Sequence, residues 1–267
     1  MTILIIIAQV TVTIFPDSIV SQINPFTFGS GDEIIQNFTK AGIDTMIQRT
    51  GPPLLRFGGI SCEYLDWEAN DYEGLYYIDF FDTLIIAESL SYGMDSLLRL
   101  CERLNIEPVL SVNTQINDPG KAARLVEYCN GDTTTPMGYI RYLRGHPAPY
   151  NVQYFALGNE PDIAGSVFPT PVGLWTFFRH FGIPFDQWSW QDSSYVDSAS
   201  FAQLARVYID SMKAHSPIPI DFIGLSLAGN LSWIGPTLDL CNDDISLVDL
   251  HYYPNLDTIS EIGRAHV

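Results

Sequence analysis

Apolar positions in this chain fall in short dense runs, separated by polar stretches with helical spacing. Leu54 to Phe57, Pro108 to Asn113, Val152 to Leu157, Phe222 to Ser226 and Leu247 to His251 are too continuously apolar for half-exposed strands. They read as strands buried on both faces. Pro25 to Gly29 predicts a shorter strand ahead of them, followed by polar residues from Ser30 to Glu33 and a helical stretch to about Gln48. From Gly93 to Leu104, Met94, Leu97, Leu98 and Cys101 share one face at three/four spacing, which predicts a helix. Lys121 to Asn130 and Phe201 to His215 predict two more. The Tyr-, Asp- and Glu-rich stretch 60–91 reads as a long loop. Residues 163–198, with Trp175, Trp188 and Trp190, read as an irregular insertion. Val10 to Ile14 alternates in the strand period and predicts a strand outside the main sheet.

Buried strands alternating with helices are the pattern of a parallel sheet with helical crossovers. Six strands of this type are counted. No Gly-x-Gly-x-x-Gly follows any of them, so a dinucleotide fold has no support. The expected class is α/β, a (β/α)8 TIM barrel truncated after about six strands, with an N-terminal strand from an accessory β-sandwich. The expected boundaries are 1–23 for that strand or a signal remnant, 24–260 for a partial catalytic barrel, and 261–267 for a non-native tail.

Composition narrows the function. The chain has 267 residues, 46% of them hydrophobic, enough for one barrel-sized core. A net charge of −18 argues against nucleic acid and against an anionic membrane surface as partners. A neutral carbohydrate is compatible with it, and aromatic residues at 13% suit a cleft with stacking faces. Cys62, Cys101, Cys129 and Cys241 have neither zinc-site spacing nor the density of a disulfide framework, so buried thiols are expected. The five histidines show no paired ligand spacing, and no metal or cofactor is expected. Residues 1–8 are apolar but lack a basic start. An extracellular or periplasmic location is expected, with the cytoplasm as the alternative.

The run Val152 to Leu157 ends abruptly in Gly158-Asn159-Glu160-Pro161. It delivers a carboxylate to the C-terminal tip of a strand, where the loops of a barrel build the active site. Further motifs fall in order around it. Phe28-Gly29-Ser30-Gly31-Asp32-Glu33 follows the first strand, and Leu55-Arg56-Phe57-Gly58-Gly59 with Tyr64 and Trp67 follows the second. Ser111-Val112-Asn113 ends the third. Leu125-Val126-Glu127-Tyr128-Cys129-Asn130 precedes the fourth, and His251-Tyr252-Tyr253 ends the sixth.

This series, from about Asn24 to Asp257, resembles the α-L-arabinofuranosidases of glycoside hydrolase family 51, retaining barrel glycosidases. The Val-Glu-Tyr-Cys-Asn segment and the Gly-Asn-Glu motif are its most specific parts. Leu-Arg-Phe-Gly-Gly is also similar to the heparanase-like β-glucuronidases. The resemblance implies Glu160 as general acid/base and Asn159 as a partner of the sugar 2-hydroxyl, a contact that strengthens in the oxocarbenium-like transition state. It implies Glu33 as a sugar-binding carboxylate, Arg56 as the cation holding the nucleophile's charge, and Tyr253 as a contact of the nucleophile. Asn113 and His251, at strand tips, complete the expected substrate-binding set. Each has a structural alternative: Glu33 at a helix start, Arg56 in an ion pair, His251 and Tyr253 in the core.

The family's proline between the aromatic residue and the two glycines is absent here. Ile60 stands where the family has an asparagine, and Ile34 where it has a histidine. These departures lie at the sugar end of the site. They keep a β-glucuronide, β-xyloside or β-glucan open as substrate beside a terminal α-L-arabinofuranosyl group. The resemblance puts the nucleophile at the end of a seventh strand, beyond these residues. Ile262 to Val267 can be encoded by the start of a common short-read sequencing adapter, which predicts that the frame leaves gene sequence near Glu261. A chain without its nucleophile is expected to be inactive, and a noncatalytic carbohydrate-binding barrel is the rival of a different class.

Overall fold

The computed structural model describes residues 29–32, 42–58, 62, 65–69, 71–72, 76–78, 84–86, 93–114, 118–162, 197–227 and 230–251. The predicted strand Val10 to Ile14, the insertion with its three tryptophans, Glu33, Tyr64, Tyr253 and the 261–267 tail lie outside them.

The framework is a six-stranded parallel sheet. Its strands are β1 (Ser30–Asp32), β2 (Leu54–Phe57), β7 (Glu107–Val112), β8 (Tyr154–Leu157), β9 (Asp221–Leu227) and β10 (Ile245–Leu250), side by side in that order. Helices α1 (Ile43–Thr50), α2 (Met94–Leu104), α3 (Pro119–Asn130), α4 (Pro136–Leu143), α5 (Ser198–Ala214) and α6 (Ile234–Cys241) lie between them in the chain. Strand neighbours follow chain order, as in a (β/α)8 barrel; the six strands form part of one.

The predicted elements form for local reasons that can be named. On α2, Met94, Leu97, Leu98 and Cys101 are buried as one stripe. α3 starts at Pro119, and the Asp118 side chain accepts from the Lys121 amide, so a proline and an N-cap open it together. α5 opens on a capping box between Asp197 and Ser200, and it buries Phe201, Leu204, Ala205, Tyr208, Ile209 and Met212. All four cysteines are buried as thiols. Burial pushes the Cys101 thiol up to about 12.

Sheet register separates two faces. Leu55, Phe57, Leu110, Val112, Phe155, Leu157 and Phe222 belong to the large core packed with helix side chains. Val109, Ala156 and Ile223 form a second small cluster, with Leu54 and Tyr154 against it. In the period-two geometry of strands these are the opposite, inward-facing positions, one layer of a barrel interior. Arg56 is two residues after Leu54 and pairs in register with Val109. It therefore points to the inside, one layer nearer the C-terminal ends.

Several expectations need correction. Ser30 to Asp32, read as a polar connection, is β1, and it pairs with Leu55 to Phe57; its place comes from backbone pairing, which side-chain polarity does not report. Stretch 60–91, read as a loop, holds two short antiparallel pairs. One joins β3 (Leu65–Asp66) to β4 (Asp71–Tyr72), the other β5 (Tyr76–Ile78) to β6 (Leu84–Ile86). α4 and α6 were not anticipated. β10 pairs on one side with β9 and leaves Leu247 and Leu250 about half exposed. No helix among the described residues is long and apolar enough to cross a membrane.

Candidate active site

Parallel strands bring all their C-terminal ends to one rim, and the residues there come from β2, β8, β9 and β10. The turn after β8 is made by Gly158 at φ 72°, a left-handed backbone that glycine adopts without strain. Glu160 follows at φ 48°, also left-handed, which costs a non-glycine residue about 1 kcal/mol or more. Backbone contacts hold it there. Its N–H donates to the Ser226 carbonyl at 2.7 Å, and the Gly158 N–H donates to the Val112 carbonyl at 3.1 Å. Just beyond, the Asp162 carboxylate accepts from the Asn230 amide at 2.8 Å and ties this turn to the loop after β9. The chain thus spends strain to lift a carboxyl group off the end of a strand.

The Glu160 carboxylate lies 2.7 Å from Nδ1 of His251, the residue just after β10. The other ring nitrogen, Nε2, lies 3.2 Å from Oδ2 of Asp249. The His251 backbone is fixed in turn by its N–H donating to the Leu227 carbonyl at 2.8 Å. Arg56 reaches the same cluster from β2. Its Nη2 donates to Asn159 Oδ1 and to Ser226 Oγ, each at 3.1 Å, and its Nε lies 3.5 Å from Asp249 Oδ2. β2 and β10 are four strand positions apart, about 19 Å in a flat sheet. An ion pair across that interval requires the sheet to curl, so the Arg56–Asp249 contact is direct evidence of barrel curvature.

Electrostatics follow from this packing. The hydrogen bond to Asp249, then the one to Glu160, raise His251 to about 9 against the opposing effect of burial. Burial alone would raise Asp249; the His251 hydrogen bond and the Arg56 charge outweigh it and hold the carboxyl below its usual range. The Arg56, Asp249, Glu160 and His251 side chains are between 16% and 31% exposed, so the group is sheltered yet reachable.

Of the residues singled out from the sequence, Arg56, Asn159, Glu160 and His251 are brought together. Asn113 follows β7, where its carbonyl accepts from the Tyr208 hydroxyl at 2.9 Å, and it lines a small cavity with Ser111, Trp67 and Lys121. Glu33 and Tyr253 lie outside the described residues. Ser226 and Asp249 were missed. A signal for Asp249 existed: it is a lone charge in an apolar strand, two residues from His251 and hence on the same side in a regular strand. Among the described residues no cluster of His, Cys, Asp and Glu could hold a metal ion.

Comparison with known proteins agrees with this architecture. The "Alpha-L-arabinofuranosidase 1 domain" family model matches residues 51–170. α-L-Arabinofuranosidase C of Emericella nidulans is 41% identical over 73 residues, 27% of this chain and 14% of that protein. The intracellular exo-α-L-arabinofuranosidase of Bacteroides ovatus is 34% identical over 73 residues, 27% of this chain and 14% of its own length. Among solved structures, the Thermotoga maritima α-L-arabinofuranosidase in its arabinose complex superposes with a TM-score of 0.65 at 20% identity, covering 94% of this chain and 52% of that one. A family 51 α-L-arabinofuranosidase from Bifidobacterium longum gives 0.67 at 16% identity, covering 90% of this chain and 47% of the other. The chain spans about half the length of these solved structures. In sequence over its middle part, and in fold over most of its length, it resembles the α-L-arabinofuranosidases of glycoside hydrolase family 51.

Proposed function

We propose that this chain carries the acid/base side of a retaining glycosidase site that removes terminal α-L-arabinofuranosyl groups from polysaccharides or oligosaccharides. The observation that carries the proposal is Glu160: a carboxyl group lifted from the tip of β8 by a left-handed backbone and hydrogen-bonded to a histidine from β10. Glu160 protonates the leaving oxygen in the first half-reaction and takes a proton from water in the second. Asn159, held by Arg56, presents its amide beside it to the sugar 2-hydroxyl. The retaining mechanism needs a second carboxylate about 5–5.5 Å from the first, to attack the anomeric carbon. That role is not assigned to any residue described here. The arabinofuranosidase names of the matching relatives support the choice of sugar.

The test is an assay of this chain, and of the product of the whole reading frame at its source locus, on a panel of chromogenic glycosides. Release from the α-L-arabinofuranoside, lost in Glu160→Gln, supports the proposal. Selective release from a β-glucuronide, β-xyloside or β-glucan moves the same chemistry to another sugar. Sugar binding without turnover by either protein replaces it with a noncatalytic binding barrel.

A further inference from the structure

One carboxylate oxygen in the site is used twice. Asp249 Oδ2 lies 3.2 Å from His251 Nε2 and 3.5 Å from Arg56 Nε. His251 passes the contact on to Glu160, with Nδ1 at 2.7 Å, and Arg56 passes it on to Asn159, with Nη2 at 3.1 Å. Asn159 and Glu160 are consecutive residues. A single side chain therefore stands behind both polar groups that the tip of β8 presents.

We propose that Asp249 is a positioning residue for the acid/base: it pins the Nε2 proton of His251, so that Nδ1–H is directed at Glu160, and it holds Arg56 against Asn159. The proposal rests on the assignment of Glu160 as acid/base made above. A histidine with a carboxylate oxygen at each ring nitrogen is satisfied in full only when both nitrogens carry protons. Asp249, already paired with a guanidinium, is the fixed member. Its negative charge keeps Nε2–H in place, and Nδ1–H donates to Glu160 Oε1. The proton for the leaving group is then carried on the other carboxyl oxygen of Glu160. As the second carboxylate bonds to the anomeric carbon and the glycosidic C–O bond breaks, that proton passes to the leaving oxygen, and the Glu160 carboxylate left behind is stabilised by the charged ring. In the second half-reaction the oxygen of water bonds to the anomeric carbon, the bond from that carbon to the second carboxylate breaks, and one of the water's protons returns to Glu160. The ring keeps both of its protons throughout.

An irregularity in the β9–β10 pairing lies at this point. The register shifts between Val248 and Asp249, where β9 carries the extra residue, Leu225 at φ 60°, so that Asp249 pairs with Ser226, and irregularities of this kind are common next to active sites. Among the described residues, the charged groups facing the ring are Glu160 from the turn after β8, Arg56 from β2, and Asp249 from its own strand. Arg56 opposes the ring's charge; the two carboxylates favour it, Asp249 first.

The experiment is an NMR titration of the His251 ring in this chain, assigned with His251→Gln, compared with Asp249→Asn. The variant keeps the shape of the side chain and removes its charge. The expected result is a fall of about one unit or more in the ring's midpoint, with a change in the Nε2 signal. A purely structural Asp249 would lower the melting temperature and leave the ring's midpoint where it is, and that result overturns the proposal. Should Asp249→Asn not fold, Asp249→Ser carries the same test, since it too removes the charge beside Nε2. The ring titration decides the role of Asp249; loss of turnover in Glu160→Gln decides the acid/base assignment separately.

Discussion

The guanidinium of Arg56 lies over the α-carbon of Gly58, two residues along the same strand end. A β-carbon at Gly58 would come within 2.3 Å of Arg56 Nη1 and 2.4 Å of Cζ, closer than real contacts allow. The obstacle is the far end of a side chain, so Gly58→Ala is accommodated by moving the guanidinium rather than by breaking the strand. The move breaks the hydrogen bonds to Asn159 and Ser226 and the contact with Asp249. Hydrogen bonds to charged groups are worth about 1.5–3 kcal/mol. Gly58→Ala is therefore expected to lower kcat/KM by about tenfold or more, with a matching loss of arabinose affinity by calorimetry. Wild-type values in both assays would show that Arg56 does not depend on the open space at Gly58.

Glu160→Gln keeps the size of the side chain and removes the transferable proton. General acid/base groups contribute about 100- to 10,000-fold. The loss is expected to be largest for substrates whose leaving group needs protonation, an alkyl or sugar alcohol, and smallest for an activated nitrophenolate. Comparing kcat/KM across leaving groups of graded acidity checks this. A uniform loss across the series would remove Glu160 from the proton-transfer step.

Much of this site was legible because the sequence breaks its own pattern. Glu160 stands out where an apolar strand stops in Gly-Asn-Glu-Pro, whereas Arg56 was reached through the family resemblance, although it is also a lone charge within Leu54 to Phe57. Asp249 breaks the pattern in the same way and was passed over. Which strand face looks into the barrel depends on register, and the β9–β10 register shifts between Ile245 and Leu247 and again between Val248 and Asp249, which simple alternation does not anticipate. Ser226 is too small and too common in strands to signal anything alone. Its role depends on an arginine 170 positions away. Two helices were missed for a different reason. Gly235 and Pro236 in α6 look like turn residues, yet proline in a first helical turn removes only a donor that is orphaned anyway. Pro136 plays this part in α4, where the Thr135 hydroxyl accepts from the Gly138 amide.

The charge on His251 makes stability depend on pH in a definite direction. The ring titrates at about 9 in the folded chain against an ordinary 6.5. A raised value means that folding favours the protonated ring. Its contribution is complete below about 6.5 and disappears as pH climbs through about 9. Asp249, held below its ordinary 3.8, has the opposite sign: its contribution is present above that value and is lost as pH falls. The difference in urea midpoint between the wild-type chain and His251→Gln is therefore expected to shrink steadily from pH 6.5 to 9. Other groups that titrate in this range are common to both proteins and cancel. A difference that stays constant across the series would mean that the ring is not held protonated by its two carboxylates.

Arg141 is the clearest case of a buried charge with a structural task. It is fully buried, and burial pushes its guanidinium below the usual range. Its protons go to backbone carbonyls: Tyr128, Gly131 at 2.6 Å, His146 at 3.1 Å and Pro147 at 3.3 Å. These sew the end of α3 to the segment that leads into β8, where Tyr150 N–H donates to the Cys129 carbonyl at 2.8 Å. β8 in turn carries Glu160 to the rim, so the clamp sets the base of the strand whose tip holds the proposed acid/base. Arg141→Met fills most of the volume and supplies no donors, leaving buried carbonyls at Tyr128 and Gly131 unsatisfied. At about 1–3 kcal/mol for each stranded group, the expected loss is about 3 kcal/mol or more, read as a lower urea midpoint with an unchanged slope. Arg141→Lys is expected to recover only part of it, because one ammonium group cannot reproduce a planar fork that serves several carbonyls. In both variants the fraction that remains folded should keep the His251 titration of the wild-type chain, since Arg141 does not touch that cluster. A midpoint for Arg141→Met within about 0.5 kcal/mol of wild type, the usual span of a neutral surface change, would show that the carbonyls find other donors and that the clamp is dispensable.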